Sequence, residues 1–319
     1  VDSLATAASH PDGSVRLDPS LSLKEFLRRD LPPRRWIVEG LLQERDTAML
    51  HSYRGVGKSR FVHGLACAVT SGGEFLRYVC PKPRGVLLVD GELPAEELQK
   101  MLATQVSARG GEPMASFKVL ASGLVEEPLE SLATQAGQEM VEASLEGIDL
   151  VILDNISTLC GGTGPENDAE SWEPVQNWLL KLRRMGLAVL LVHHEGKSGR
   201  QRGTSKREDV LSQVVQLKRP ANYSPSEGCR FEVHLTKARG VYGEAAMPFE
   251  ARFRTDEHGR AAWTWRSLES DRKDQILGLA KSGVTSQRAI AQKLGVSPAT
   301  VNRAIQELRA EGRWQEIAP

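Results

Sequence analysis

The sequence lacks an excess of either charge, a long hydrophobic run and a cysteine framework. Lys and Arg number 41 and Asp and Glu 41, a net charge of zero. No bulk field therefore forces a nucleic-acid or membrane partner, and any such contact must come from a local patch. The longest uncharged run in the apolar parts is Phe61 to Gly73, 13 residues with a His and a Ser inside. A bilayer span needs about 18–20 apolar residues, so no membrane protein is expected. The four cysteines, Cys67, Cys80, Cys160 and Cys229, are scattered with no C-x-x-C. They read as reduced thiols of a cytoplasmic protein, not as a zinc site or disulfide frame. Val1 to Ser20 is polar, broken by Pro11, Gly13 and Pro19, and lacks the basic-then-apolar layout of a secretory signal.

What remains is ordinary globular usage. Apolar residues make up 40% of 319, and 29 glycines bring the sum to about 49%. This length predicts two domains, or one large one with an appendage. After a flexible tail over 1–20, short apolar runs alternate with amphipathic stretches. The runs are Ala48–Leu50, Gly85–Asp90, Phe117–Leu120, Asp149–Asp154 and Leu187–Val192; the helical stretches are Ser59–Ser71, Ala95–Ala108, Pro128–Leu145 and Glu170–Met185. Leu21–Leu31 reads as a further short helix, stopped by Pro32-Pro33. Nearly continuous Val, Ile and Leu runs separated by helices predict an α/β fold, a mostly parallel sheet covered on both faces. After Ser212 the period changes, and 214–217, 230–235, 247–254 and 261–265 read as an antiparallel extension of that sheet.

His51-Ser52-Tyr53-Arg54-Gly55-Val56-Gly57-Lys58-Ser59 lies between the first of these strands and the first of these helices. Strand, glycine loop, Gly-Lys-Ser and helix is the setting of a phosphate-binding loop. Backbone N–H groups and the helix N-terminus cradle phosphate, Lys58 adds a point charge, and Ser59 offers a hydroxyl to Mg²⁺. Gly55, Val56, Gly57, Lys58, Ser59 and Arg60 are the expected nucleotide contacts. Ser52 departs from the pattern, holding the position of its first glycine.

Such a site needs one carboxylate for hydrated Mg²⁺ and another to orient water. Asp154 ends the run DLVILD, at the strand edge where α/β sheets bind ligands. A helix-capping Asp is the plainer alternative. Asp90-Gly91-Glu92 ends GVLLVD in the same way; Glu92 is the better base, with Asp90 as its support, and an acidic N-cap pair is the alternative. LAVLLV ends in His193-His194, adjacent residues on opposite strand faces, so only one can meet a nucleotide.

In this order, these residues resemble the RecA-like P-loop ATPases, and more narrowly the group of KaiC, DnaB-type replicative helicases and plasmid RepA hexameric helicases. The resemblance covers about residues 32–265. It implies Lys58 and Ser59 on phosphate and Mg²⁺, the catalytic base at Glu92 in LLVDGELP, the metal-supporting Asp154 in LVILDNIS, and a γ-phosphate sensor at His194 in LLVHHEGK. Arg202-Gly203-Thr204-Ser205 follows His193-His194 as a related stretch does in RepA-like members. Lys237 and Arg239 in HLTKARG match the Lys-x-Arg element inserted into a neighbour's ATP site. The implied enzyme is a ring or filament, with a hexamer favoured, that hydrolyses ATP with Mg²⁺. Two residues apart on a strand, Lys237 and Arg239 would share one face.

Two segments could touch DNA. Glu195–Glu208 carries Lys197, Arg200, Arg202, Lys206 and Arg207, five basic residues against two acidic. In the resembled family this region often forms the DNA-binding loop, and a mobile basic loop facing a ring channel would track a single strand's phosphates. A solvated surface loop is the alternative. Residues 270–319 hold 8 Lys and Arg against 5 Asp and Glu and read as a helix-turn-helix, with helices over 271–282, 286–294 and 298–311. Ser297 caps the third helix, and Thr300, Asn302 and Arg303 are placed to meet a major groove. Such modules also dock proteins. The expected organisation is a 1–20 tail, a 21–265 RecA-like ATPase domain and a 266–319 winged helix-turn-helix domain. The function expected is a helicase or translocase of a mobile element. An ATP-gated DNA-binding regulator and a loader or recombination accessory ATPase stay open beside it.

Overall fold

The computed structural model describes residues 7–9, 15–17, 20–161, 169–195, 210–255 and 261–314. The chain divides into two compact units, Val1–Arg34 and Arg35–Pro319. In the first, β1 (Ala7–Ser9) and β2 (Val15–Leu17) pair antiparallel, and α1 (Leu23–Arg28) follows. Ser22 and Glu25 form a reciprocal cap at its start, and the chain turns extended at Arg29, so the helix is shorter than the apolar spacing suggests.

The second unit opens with two small hairpin strands, β3 (Trp36–Val38) and β4 (Leu42–Gln43). Then come β5 (Thr47–Ser52), α2 (Lys58–Ser71), the paired β6 (Gly73–Phe75) and β7 (Tyr78–Cys80), β8 (Val86–Asp90), α3 (Ala95–Arg109) and β9 (Phe117–Ala121). α4 (Gln135–Glu142), β10 (Leu150–Asp154), α5 (Ile156–Leu159), α6 (Ala169–Arg184) and β11 (Ala188–His194) come next. β12 (Gln213–Lys218), β13 (Cys229–Ala238), β14 (Phe249–Thr255) and β15 (Ala261–Ser267) lead into α7 (Leu268–Lys281), α8 (Gln287–Leu294) and α9 (Pro298–Ala310).

One nine-stranded sheet carries the unit, in the order β15, β14, β13, β12, β5, β11, β10, β8, β9. From β12 to β9 the pairs are parallel; from β12 to β15 they are antiparallel. This is the RecA-like arrangement, with an antiparallel extension at one edge. Strand alternation sorts the core. Ala48, Leu50, Val86, Leu88, Leu150, Ile152, Leu190 and Val192 face α2, where Phe61, Val62, Leu65 and Val69 meet them. Met49, Leu87, Val89, Val151, Leu153, Val189 and Leu191 face the other way, onto Trp172, Val175, Trp178 and Leu182 of α6. Each such side chain contributes about 1.5–3 kcal/mol on burial, which is why these strands read as unbroken apolar runs.

Strand register aligns the polar ends of these runs. Asp154 lies beside Asp90, His194 beside Ser52, and Val192 beside Leu50. The polar residues that end β8 and β10 are thus level with each other, and those that end β5 and β11 lie two residues further on, all along one edge of the sheet. Helices α7 to α9 gather a separate cluster of Ile276, Ile290, Ala291, Val301, Ala304, Ile305 and Leu308. The αL glycine Gly295 closes α8, and Ser297 Oγ accepts from Thr300 N at 3.1 Å to open α9.

Candidate nucleotide-binding site

The loop after β5 turns on glycine. Gly57 has φ +131°, and a Cβ there would lie 2.9 Å from the Phe231 ring, so no side chain fits between loop and β13. Ser52, in the place of the motif's first glycine, ends β5 as a buried residue and donates to Tyr53 O at 2.9 Å. Lys58, first residue of α2, is buried and reaches Ser52 O at 3.3 Å, Ser52 Oγ at 3.4 Å and Tyr53 O at 3.4 Å. Its fourth partner is His194 Nδ1, at 2.9 Å. Burial holds the ammonium below the ordinary lysine range, against the pull of Asp154 and Glu92.

Around Lys58 opens a cleft of about 340 Å³. Arg54, Gly55, Gly57, Ser59, Arg60, Asp90, Glu92, Asp154 and His194 line it, with Leu93 and Met101 as its apolar wall. Val56 is buried beneath the loop. Arg60 lays its guanidinium over Phe253, 5.4 Å from the ring centre. A larger cleft, about 900 Å³, lies between β13–β14 and α7–α8, but there Arg230 and Glu250 bond each other at 2.7 Å and Glu232 bonds His234 at 2.8 Å.

The carboxylates divide their work by burial. Asp90 is fully buried, and its Oδ1 accepts from Glu92 N at 2.9 Å and Leu93 N at 2.7 Å. It folds the turn that presents Glu92, whose side chain is 52% exposed. Glu92 Oε2 accepts from the Asn155 amide and lies 3.3 Å from His194 Nε2. Asp154 is buried beside Ser59 and Lys58; burial first, and Asp90 second, push its pKa up to about 7, while the Ser59 hydroxyl and Lys58 pull it down. Its Oδ2 has no hydrogen-bond partner. A buried, orphaned carboxylate oxygen next to a loop serine is the donor set a hydrated Mg²⁺ needs, so Ser59 and Asp154 fit that ion.

His194 joins the two halves. Lys58 has only protons to give, so Nδ1 is the acceptor and Nε2–H faces Glu92. Burial, then Lys58, lower its pKa, which keeps the ring neutral. His193 points the other way, buried, with Nδ1 3.5 Å from Ser157 Oγ.

Two participants escape a reading of the sequence. Asn155 caps α5 through Oδ1, accepting from Ser157 N at 3.0 Å and Thr158 N at 3.2 Å, which frees its amide N–H for Glu92. Its only signal is a cap-type residue directly after Asp154. Arg219 donates to Gly55 O at 2.8 Å and lies 4.0 Å above the Tyr223 ring; no motif announces it.

Lys237 and Arg239 do not line their own chain's cleft. Lys237 lies in β13, opposite Val214, but the strand ends at Ala238. Arg239 is in the turn made by Gly240 (φ +75°), and its N–H donates to Ser212 O at 3.1 Å. The expectation that both lie on one strand therefore fails for Arg239, which falls one residue beyond the end of β13. Lys197, Arg200, Arg202, Lys206 and Arg207 lie outside the described residues. On α9, Thr300 is half-buried, while Asn302 and Arg303 are exposed. Gln287 of α8 approaches Asn302 Oδ1 at 3.4 Å, and Arg303 lies 3.9 Å from Glu307.

Comparison with known proteins places these features. A family model described as an AAA domain matches residues 14–200, and one described as winged helix-turn-helix DNA-binding matches residues 279–313. No curated protein matches the chain. Among solved structures, a KaiC-like protein from the hyperthermophilic archaeon Pyrococcus horikoshii OT3 is similar at 14% identity and TM-score 0.48, over 71% of this chain and 93% of that one.

Proposed function

The chain belongs to the AAA-domain family, with a winged helix-turn-helix DNA-binding module near its C-terminal end, and from that premise we propose an oligomeric ATP-hydrolysing motor that acts on DNA, a helicase or translocase. Tail, ATPase domain and DNA module are proposed to divide at residues 20 and 265. The observation that carries the reading is the meeting of Lys58, Asp154, Glu92 and His194 around one cleft, from four places far apart in the chain.

Gly55, Val56 and Gly57 offer backbone N–H groups to the phosphates, with Arg60 at the nucleoside end. Lys58 turns from the Ser52 and Tyr53 carbonyls to the γ-phosphate. Ser59 and Asp154 hold Mg²⁺, which when bound offsets the charge on the phosphate oxygens. Glu92, aimed by Asp90 and Asn155, accepts the proton of the attacking water. His194 Nδ1 loses Lys58 as its donor once phosphate claims the lysine, and the ring is then free to turn and report the γ-phosphate along β11. Lys237 and Arg239 of an adjoining copy supply cations to the outer face, which makes the ring or hexamer part of the site. Lys197, Arg200, Arg202, Lys206 and Arg207 come directly after β11 and would track single-stranded DNA; Thr300, Asn302 and Arg303 would meet duplex.

The winged helix-turn-helix match favours one second reading, an ATP-gated regulator that binds a duplex site without opening it. A forked duplex separates the two. Strand displacement with DNA-stimulated ATP turnover supports the motor. A sequence-specific footprint on duplex, with no displacement, supports the regulator.

A further inference from the structure

His63 is the buried titratable group that the ATPase reading leaves without a task. It lies one helical turn after Ser59 on α2, so both residues face the strand ends. Its side chain is fully buried, and neither ring nitrogen has a hydrogen-bond partner. An imidazole taken out of water with both nitrogens unspent is costly, and such a group is kept where a ligand completes it. Asp90 and Asp154 each carry one buried carboxylate oxygen without a hydrogen-bond partner, Oδ2 in both. One ligand atom from each of His63, Asp90 and Asp154 lies within 4.8 Å of the other two.

We infer that in the nucleotide-free chain, before Asp154 is claimed by Mg²⁺ at the phosphates, His63, Asp90 and Asp154 form a binding site for a first-row transition dication such as Mn²⁺ or Zn²⁺, behind the phosphate cleft. The donor set decides the class. One imidazole and two carboxylates suit Mn²⁺ to Zn²⁺, whereas Mg²⁺ prefers oxygen ligands and retains its waters. Neither ring nitrogen is spent on a hydrogen bond within the protein, so a nitrogen lone pair of His63 is available to a metal. Metal–ligand bonds of about 2.1 Å in a tetrahedral site put ligand atoms about 3.4 Å apart, so a spread of up to 4.8 Å closes by about 1.4 Å or less per pair when the ion binds. Asp90 and Asp154 also line the cleft, which gives the ion a path in from solvent. The site stands on the buried cluster alone and does not require that ATP be hydrolysed.

The test uses the full chain without nucleotide, Mn²⁺ as the probe and Mg²⁺ in excess. Pulsed electron paramagnetic resonance should show one Mn²⁺ per chain with an imidazole nitrogen coupling. His63→Phe, which keeps a ring of similar size, should lose the coupling and weaken Mn²⁺ binding by about tenfold or more. Its melting temperature is measured alongside, and His63→Gln is the second variant. Absence of nitrogen coupling in the unaltered protein overturns the site, whatever the variants do. A coupling that survives in either variant also overturns it, because His194 would then be the source. Failure to hydrolyse ATP would sink the motor and leave this titration untouched.

Discussion

Glu92 depends on neighbours for its aim, and that dependence can be measured. Asp90 fixes its backbone and Asn155 its carboxylate. Asn155→Ala removes the second hold while leaving Lys58 and the glycine loop in place. The expected result is a kcat lowered about tenfold or more with KM nearly unchanged, read from steady-state ATP turnover. An equal rise in KM would mean that Asn155 shapes nucleotide binding instead. Gly57→Ala is harsher. It puts a Cβ at φ +131° against the Phe231 ring, so nucleotide affinity should fall more than tenfold and thermal stability should drop by about 1–3 kcal/mol. Most of the cleft was legible in the sequence, because glycines, Lys58, Asp154 and His194 each sit where an apolar strand run stops. Asn155 and Arg219 were not: each gains its partner only when the turn after a strand closes, and turn geometry leaves no periodicity to read.

Among the elements, the antiparallel extension is held by a charged knot. Burial alone would raise the Glu250 pKa, but hydrogen bonds from Arg230, Arg266 and Arg252 overcome it and hold the carboxyl at about 2, down from 4.5. A depressed carboxylate adds stability above its unfolded value and loses it as pH falls. Acid melting should therefore steepen between pH 4.5 and about 2, and Glu250→Gln should flatten that interval and lower stability at neutral pH by about 3 kcal/mol. Helix α9 carries its own prediction. Arg303→Ala should weaken duplex binding by about 1–3 kcal/mol in a gel-shift titration while leaving ATP turnover without DNA unchanged. The sheet strands were readable from their apolar runs, and the helices around them nearly so. α4 was expected over 128–145 and forms only from Gln135 to Glu142, because the Thr134 hydroxyl accepts from Gly137 N and starts the helix late. The β3–β4 and β6–β7 hairpins have strands of two or three residues, too short for alternation to register.

At the scale of the whole molecule, the proposed motor has its cleft completed by an adjoining copy. The cleft offers Lys58 from within, but Lys237 and Arg239 do not line it. Mixing tests the missing half: Lys58→Ala chains, blocked at their own loop, should restore turnover to Lys237→Ala chains when the two are combined. Activity that tracks simple dilution would mean that each copy works alone. The central claim is that a base on one strand end serves a triphosphate held at another. Nucleotide binding and turnover, measured together on unaltered protein and on Glu92→Gln, test it most directly. The account predicts that Glu92→Gln binds ATP as the unaltered chain does and hydrolyses it at least about 100-fold more slowly. Hydrolysis at an unaltered rate, or an unaltered chain that takes up no nucleotide, would contradict it.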